Sequence, residues 1–313
     1  MSNVKTTVQK KSTNVRMQVI QGLVRHGMGL LSKVNESLAA RAAERLFTTP
    51  IRHKRPQREL DYLKGARPFD LHLKNHRLAA WSWGEGPTVL LVHGWAGRGS
   101  QMGAFAERLV EAGYRVVCFD GPAHGNSPGK RTTLPEFSDV IEEAVWELGP
   151  VCAVIAHSFG SMATSLALAR GLPIERVVNI GGAAWTPQTP AVIAGHMGVS
   201  MPVMDRMRGR LEDRFDLSWE NFWAHNLGSQ MSIPALIVHD EDDSEIPIKN
   251  VQILVDHWSD SRLMRTSGLG HTRILRGPEV VEEVVRFIAA GSSSILPLYR
   301  QELLRDIQGA EVA

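Results

Sequence analysis

The sequence predicts an α/β protein organised around a doubly wound, mostly parallel sheet. Two observations carry that expectation. Short, continuous apolar runs recur along the chain at residues 88–93 (TVLLVH), 115–120 (RVVCFD), 151–156 (VCAVIA), 176–181 (RVVNIG) and 235–239 (ALIVH). Runs without alternation suit parallel strands covered on both faces. Helical patterns separate several of them, at residues 103–112, 135–148 and 158–170. Strand alternating with helix is the pattern of a doubly wound sheet.

The remaining elements follow in order. Residues 14–48 read as helical, with Ile20, Val24, Met28, Leu31, Val34 and Leu38 forming one apolar stripe, and Thr49-Pro50 ending the run. That stripe is expected to pack on its own domain, with an oligomer contact or a membrane surface as alternatives. Residues 69–73 and 77–83 read as two strands of a hairpin joined by Lys74-Asn75. Residues 186–228, rich in Met, Arg and aromatic side chains, interrupt the alternation. They read as a small helical lid inserted over the carboxyl edge of the sheet. A helix near 248–257, a strand at 262–266 and a helix at 278–290 come next. A flexible joint at 291–294 leads to a short tail helix at 297–307. The expected organisation is a helical extension over 1–60, an α/β domain over 61–291 and a tail over 292–313.

Composition excludes several classes. The chain has 313 residues, 43% hydrophobic and 22% charged, which rules out disorder as the main state and argues against a fibre. Its two cysteines, Cys118 and Cys152, cannot build a disulfide framework or a four-cysteine zinc site. Net charge is +2, so no nucleic-acid partner is expected. The charge is uneven: residues 1–60 hold 12 Lys/Arg against 3 acids, and the rest holds 23 against 30. A basic extension precedes a mildly acidic body and could touch a membrane surface or another copy. The apolar stretch 17–31 is broken by Arg25 and His26, so no spanning helix is expected. A polar start with no clean apolar core argues against a secretory signal, and the expected location is cytoplasmic.

The segment Ala156-His157-Ser158-Phe159-Gly160 follows an apolar run and opens a helical one. A sharp strand-to-helix turn strains its central residue and requires small neighbours two positions either side. The serine hydroxyl then stands at a helix N-terminus, whose dipole favours developing negative charge. Here the chain resembles the α/β-hydrolase family, over roughly residues 69–290. The family has Gly at both flanks of this elbow; this sequence has Ala156 at the first, and Ser161 where another Gly is common.

The resemblance implies a nucleophilic Ser158 followed in chain order by an acid and a histidine. The acid falls in His239-Asp240-Glu241-Asp242-Asp243-Ser244-Glu245-Ile246-Pro247. Aligning on Pro247 selects Asp243, with Asp242 and the neighbouring acids as alternatives. Asp240 stands at the family's usual Gly. Asp240 and Glu241 read as a solvated acidic turn. The base falls at His271, within Gly268-Leu269-Gly270-His271-Thr272. Relatives with His93-Gly94-Trp95 after this strand use the backbone N–H after the Gly. That gives Trp95, with Phe159 after the nucleophile, as the oxyanion donors. His93 reads as a brace. Asp120 to Ser127 resembles the family's turn after strand four and reads as structural, leaving His124 no role as a base.

In the insertion, Trp185, Met201 and Phe222 are candidates for an acyl pocket, against plain core packing of the same side chains. The reading implied is a serine hydrolase acting on a small-molecule carboxylic ester, with no metal or organic cofactor. Thioesterase, amidase, C–C hydrolase and acyltransferase chemistry fit the same residues, and a non-catalytic binder on this fold is the remaining alternative.

Overall fold

The apolar run Thr88–Val92 forms β3, a strand whose every residue is buried. The computed structural model describes residues 19, 22–182 and 185–291. β5 (Val151–His157) and β7 (Ala235–Asp240) are likewise buried along their whole length. Such strands need helices on both faces, and the sheet has the expected form. Among the described residues eight strands run in the order β1 (Arg67–His72), β2 (Arg77–Trp83), β4 (Arg115–Phe119), β3, β5, β6 (Arg176–Ile180), β7 and β8 (Ser261–Thr266). β1 and β2 are antiparallel, and β2 pairs antiparallel with β4. From β4 through β3, β5, β6, β7 and β8 all pairs are parallel. β8 is the outer strand, and its residues are half-buried or exposed.

Strand order reverses at β3, which lies between β4 and β5. Open α/β sheets bind ligands at the carboxyl ends of the strands where the order reverses. Val92 at the end of β3 is in register with Ala156, so the segments 93–95 and 157–159 continue side by side at the sheet's carboxyl edge.

The described residues separate into two units: those up to 48 with 186–221, and those from 49 to 185 with 222–291. The second unit holds the whole sheet. On its flanks lie α3 (Ala106–Glu111), α4 (Leu134–Glu147), α5 (Phe159–Ala169), α8 (Ala224–Gln230), α9 (Ile248–His257) and α10 (Pro278–Ala289). Residues 103–105, the start of the helix expected at 103–112, belong to a 3-10 turn over Gly99–Phe105 that leads into α3. One core cluster joins β3, β4 and β5 to Met102, Phe105, Leu109, Val284 and Phe287. Residues 49–63, including α2 (Gln57–Leu63), are tied into this unit by buried ions. Arg98 forks onto Glu59 at 2.5 and 2.7 Å, and Arg55 meets Asp120 at 2.5 Å.

The first unit pairs α1 (Glu36–Phe47) with α6 (Thr189–Met197) and α7 (Met201–Phe215). Ala39, Ala40 and Ala43 are small and fully buried, which lets α7 approach α1 closely. Arg206 reaches Glu36 at 3.1 Å, while Arg210 and Arg214 close on Glu44 at 2.7 and 2.5 Å. Those arginines recur every four residues, one ladder along one helix face. Residues 22–34 are also helical. Their apolar stripe departs from the expectation of packing inward: Met28 is buried, but Val24, Val34 and Leu38 are exposed. The small alanines and the ion ladder supply the packed face, leaving the larger apolar side chains outside. No helix among the described residues is long and apolar enough to cross a membrane. The expected tail helix at 297–307 lies outside the described residues.

Candidate active site

Ser158 follows β5 directly and precedes α5. Its backbone has φ 53° and ψ −120°, a region that L residues rarely occupy. Neighbouring packing holds it there. A side-chain carbon on Gly160 would fall 2.4 Å from the His93 carbonyl oxygen, and one on Gly94 would fall 2.9 Å from Ser158 Cβ. The two loops therefore touch through backbone, and only hydrogen fits at both places. Ser161 Oγ donates to the Ala156 carbonyl at 2.8 Å and closes the turn.

Asp243 and His271 arrive from the loops after β7 and β8. His271 Nε2 is 2.9 Å from Ser158 Oγ, and His271 Nδ1 is 2.7 Å from Asp243 Oδ2. Three residues far apart in sequence thus form one hydrogen-bonded line. Asp243 and His271 are buried and Ser158 is half-buried. Asp243 Oδ1 accepts the N–H groups of Glu245 and Ile246 at 2.8 and 3.0 Å. Burial pushes the Asp243 carboxyl up, and the hydrogen bonds from His271, Ile246 and Glu245 outweigh it and hold it below the usual range. Burial pulls the His271 pKa down, but the Asp243 hydrogen bond and the charges of Glu245 and Asp243 leave it raised above 6.5.

Asp240 overturns the expectation of a solvated turn. It is fully buried, and its carboxylate accepts from Thr266 Oγ1 at 2.7 Å, Leu269 N–H at 3.0 Å and Asp242 N–H at 3.1 Å. Burial raises its pKa, and bonds from Gly270, Thr266, Leu269 and Asp242 more than offset this, so it stays lowered. Asp242 Oδ2 takes Ser267 Oγ and Gly268 N–H, both at 2.8 Å. These two carboxylates fasten the loop that carries His271. The missed signal is that Asp240 ends the apolar run 235–239, at a strand terminus instead of in open loop. Glu241 is exposed.

The loop after β3 is braced by two neutral histidines. His93 Nδ1 donates to the Gly94 carbonyl at 2.7 Å, and His93 Nε2 accepts from Gly121 N–H at 2.8 Å. His124 Nδ1 donates to the Pro122 carbonyl at 2.8 Å, and its Nε2 accepts from Ala96 N–H at 3.0 Å. Burial drives their pKa values to about 4 and about 3, so both stay uncharged near neutrality. Their rings join Trp95, Phe137 and Phe159 in an aromatic cluster, with Trp95 edge-on to Phe159 at 5.1 Å. Asp120 ties the adjoining turn, accepting from Arg55, Gly99 N–H and Asn126 N–H at 2.5–2.9 Å. Trp95 follows Gly94, and Phe159 opens α5; among the described residues neither N–H meets an acceptor. Of the pocket candidates, Trp185 and Phe222 pack edge-on at 5.6 Å within the sheet unit. Met201 lies in the other unit, 41% exposed.

A model of the alpha/beta hydrolase family matches residues 89–312. The chain belongs to the alpha/beta hydrolase family. Among curated relatives, a pimeloyl-[acyl-carrier protein] methyl ester esterase of Aeromonas salmonicida is 22% identical over 245 residues, covering 66% of this chain and 96% of the relative. One of the same description from Aromatoleum aromaticum is 24% identical, covering 64% and 98%. The solved structure of an esterase from Pyrococcus furiosus matches with a TM-score of 0.60 at 18% identity, covering 77% of this hydrolase and 96% of that chain. At that identity the structural match speaks to fold.

Proposed function

We propose that this hydrolase cleaves small-molecule carboxylic esters through an acyl-enzyme on Ser158. The observation that carries the reading is the bridging imidazole: His271 lies 2.9 Å from Ser158 Oγ on one side and 2.7 Å from Asp243 on the other. A serine hydroxyl is a weak nucleophile until a base takes its proton. His271 Nε2 accepts that proton as Ser158 Oγ bonds to the ester carbonyl carbon. Asp243 accepts Nδ1–H, fixing the tautomer and stabilising the imidazolium. The carbonyl oxygen becomes an oxyanion facing the N–H groups of Trp95 and Phe159. Collapse expels the alcohol, which takes the proton from Nε2. Water then attacks the acyl-serine by the same path in reverse, with His271 as base, and the acid leaves.

The curated relatives are described as methyl ester esterases, which favours an ester over the thioester, amide and C–C bond alternatives. A fluorophosphonate probe tests the nucleophile: the wild type should label and Ser158→Ala should not. Labelling that survives the substitution rejects Ser158. A p-nitrophenyl ester series of increasing chain length, run beside thioester and amide analogues, tests the bond type. Faster turnover of the thioester or amide overturns the ester assignment.

A further inference from the structure

Glu245 stands outside the mechanism above, yet its carboxylate lies 3.7 Å from His271 Nε2, the nitrogen facing Ser158. Its side chain is 64% exposed, so it borders open solvent. Its backbone is pinned by the N–H donated to Asp243 Oδ1. The imidazole therefore has one carboxylate at each nitrogen, Asp243 buried behind Nδ1 and Glu245 exposed before Nε2. The other ionisable groups on the neighbouring elements are His157, His239 and Arg273. His157, its ring centroid 4.8 Å away, is kept neutral by burial, with a pKa of about 3. His239 faces Asp243 at 3.8 Å. The Arg273 guanidinium turns to the Gly268 and Leu269 carbonyls.

We propose that Glu245 is a specificity-determining residue that selects the charge of the leaving alcohol, favouring cationic and neutral alcohols over anionic ones. The proposal rests on the roles given to Ser158 and His271. In the step concerned the bond between the carbonyl carbon and the alkoxy oxygen breaks, its electron pair stays on that oxygen, and the oxygen takes the Nε2 proton. That oxygen must come within about 3 Å of Nε2. With Glu245 3.7 Å from the same nitrogen, a charge carried on the alcohol passes within reach of the carboxylate. At roughly 6 Å, with screening between that of water and half that of water, two unit charges change a rate ratio by about threefold to tenfold. Added salt shrinks the effect, since the Debye length is only about 8 Å at physiological ionic strength.

The test uses a matched pair of esters of one acid that the chain-length series shows to be hydrolysed. One is the choline ester, the other the uncharged 3,3-dimethylbutyl ester of the same shape. The kcat/KM ratio of cationic to neutral ester should fall about threefold to tenfold in Glu245→Gln. It should fall further in Glu245→Lys, and the difference between wild type and variants should narrow with salt. A ratio unchanged in both variants overturns the proposal. Fluorophosphonate labelling of the wild type, run alongside, tests the Ser158 reading separately. Its loss sinks that reading whatever the ester ratio does.

Discussion

His157 Nε2 donates to the backbone carbonyl of His271 at 2.9 Å, across 114 residues of chain. The strand that ends in His157, next to Ser158, thereby holds the loop that carries His271. A carbonyl oxygen only accepts, so the proton sits on Nε2. Burial, helped by repulsion from His271, lowers the His157 pKa to about 3, and the ring keeps this tautomer at working pH.

Replacing His157 by Phe keeps ring volume and removes the donor. The His271 carbonyl then loses a partner in a buried setting, at a cost of about 1–3 kcal/mol. Displacing the imidazole by a fraction of an ångström should lower kcat roughly tenfold to a hundredfold. Single-turnover ester hydrolysis measures the loss. An unchanged rate would show that Asp243 and the Asp240 anchor suffice to place His271.

Asp240 supports the same loop from below. Asp240→Ala strands the Leu269 and Asp242 N–H groups and Thr266 Oγ1, and should destabilise the fold by about 2–4 kcal/mol. The effect has a pH signature. The folded carboxyl titrates below its ordinary range, so its contribution is fully present above the unfolded value of about 3.9 and disappears as pH falls through the folded value. Denaturant midpoints of wild type and variant should differ most above pH 5 and converge in acid. A gap that stays constant down to pH 2 would show that packing, not charge, is responsible.

These two supports also show what the sequence made legible. The turn at Ser158 is readable because small residues must flank it between an apolar strand and a helix. Asp243 is readable from its spacing to Pro247. Asp240 was hidden by its company: four acids in a row look hydrated, and burial depends on donors from residues 266–270 that come close only when β7 and β8 pair. The outward stripe at Val24, Val34 and Leu38 was hidden for a related reason. Periodicity marks a face but not its direction. Here Ala39, Ala40, Ala43 and the Glu44 ion pairs, made with arginines 166 and 170 residues away, form the packed side.

The role proposed for His271 gives activity an acid limb. In that proposal the neutral imidazole is the base, and its pKa is raised above 6.5 because the Asp243 hydrogen bond and nearby carboxylates outweigh burial. kcat/KM for an ester with rate-limiting chemistry should therefore climb with pH through a midpoint above 6.5 and then level. Removing the Asp243 charge with Asp243→Asn should cut kcat by about 10³–10⁴. A flat profile from pH 5 to 9 would remove His271 as the base.

Ser158 holds its positive φ of 53° against a local preference worth about 1–3 kcal/mol. Glycine accepts that conformation freely but carries more chain entropy when unfolded, about 0.5–1 kcal/mol relative to alanine. Ser158→Gly should thus be more stable than Ser158→Ala by about 1 kcal/mol, both without activity. The pair shares loss of the hydroxyl and of its bond to His271, so the difference isolates backbone strain. Thermal unfolding of the two variants reads it directly. Equal melting temperatures would mean that the strain only matches the extra chain entropy of glycine, about 0.5–1 kcal/mol, and a lower value for Ser158→Gly would mean that the turn holds no residual strain at Ser158.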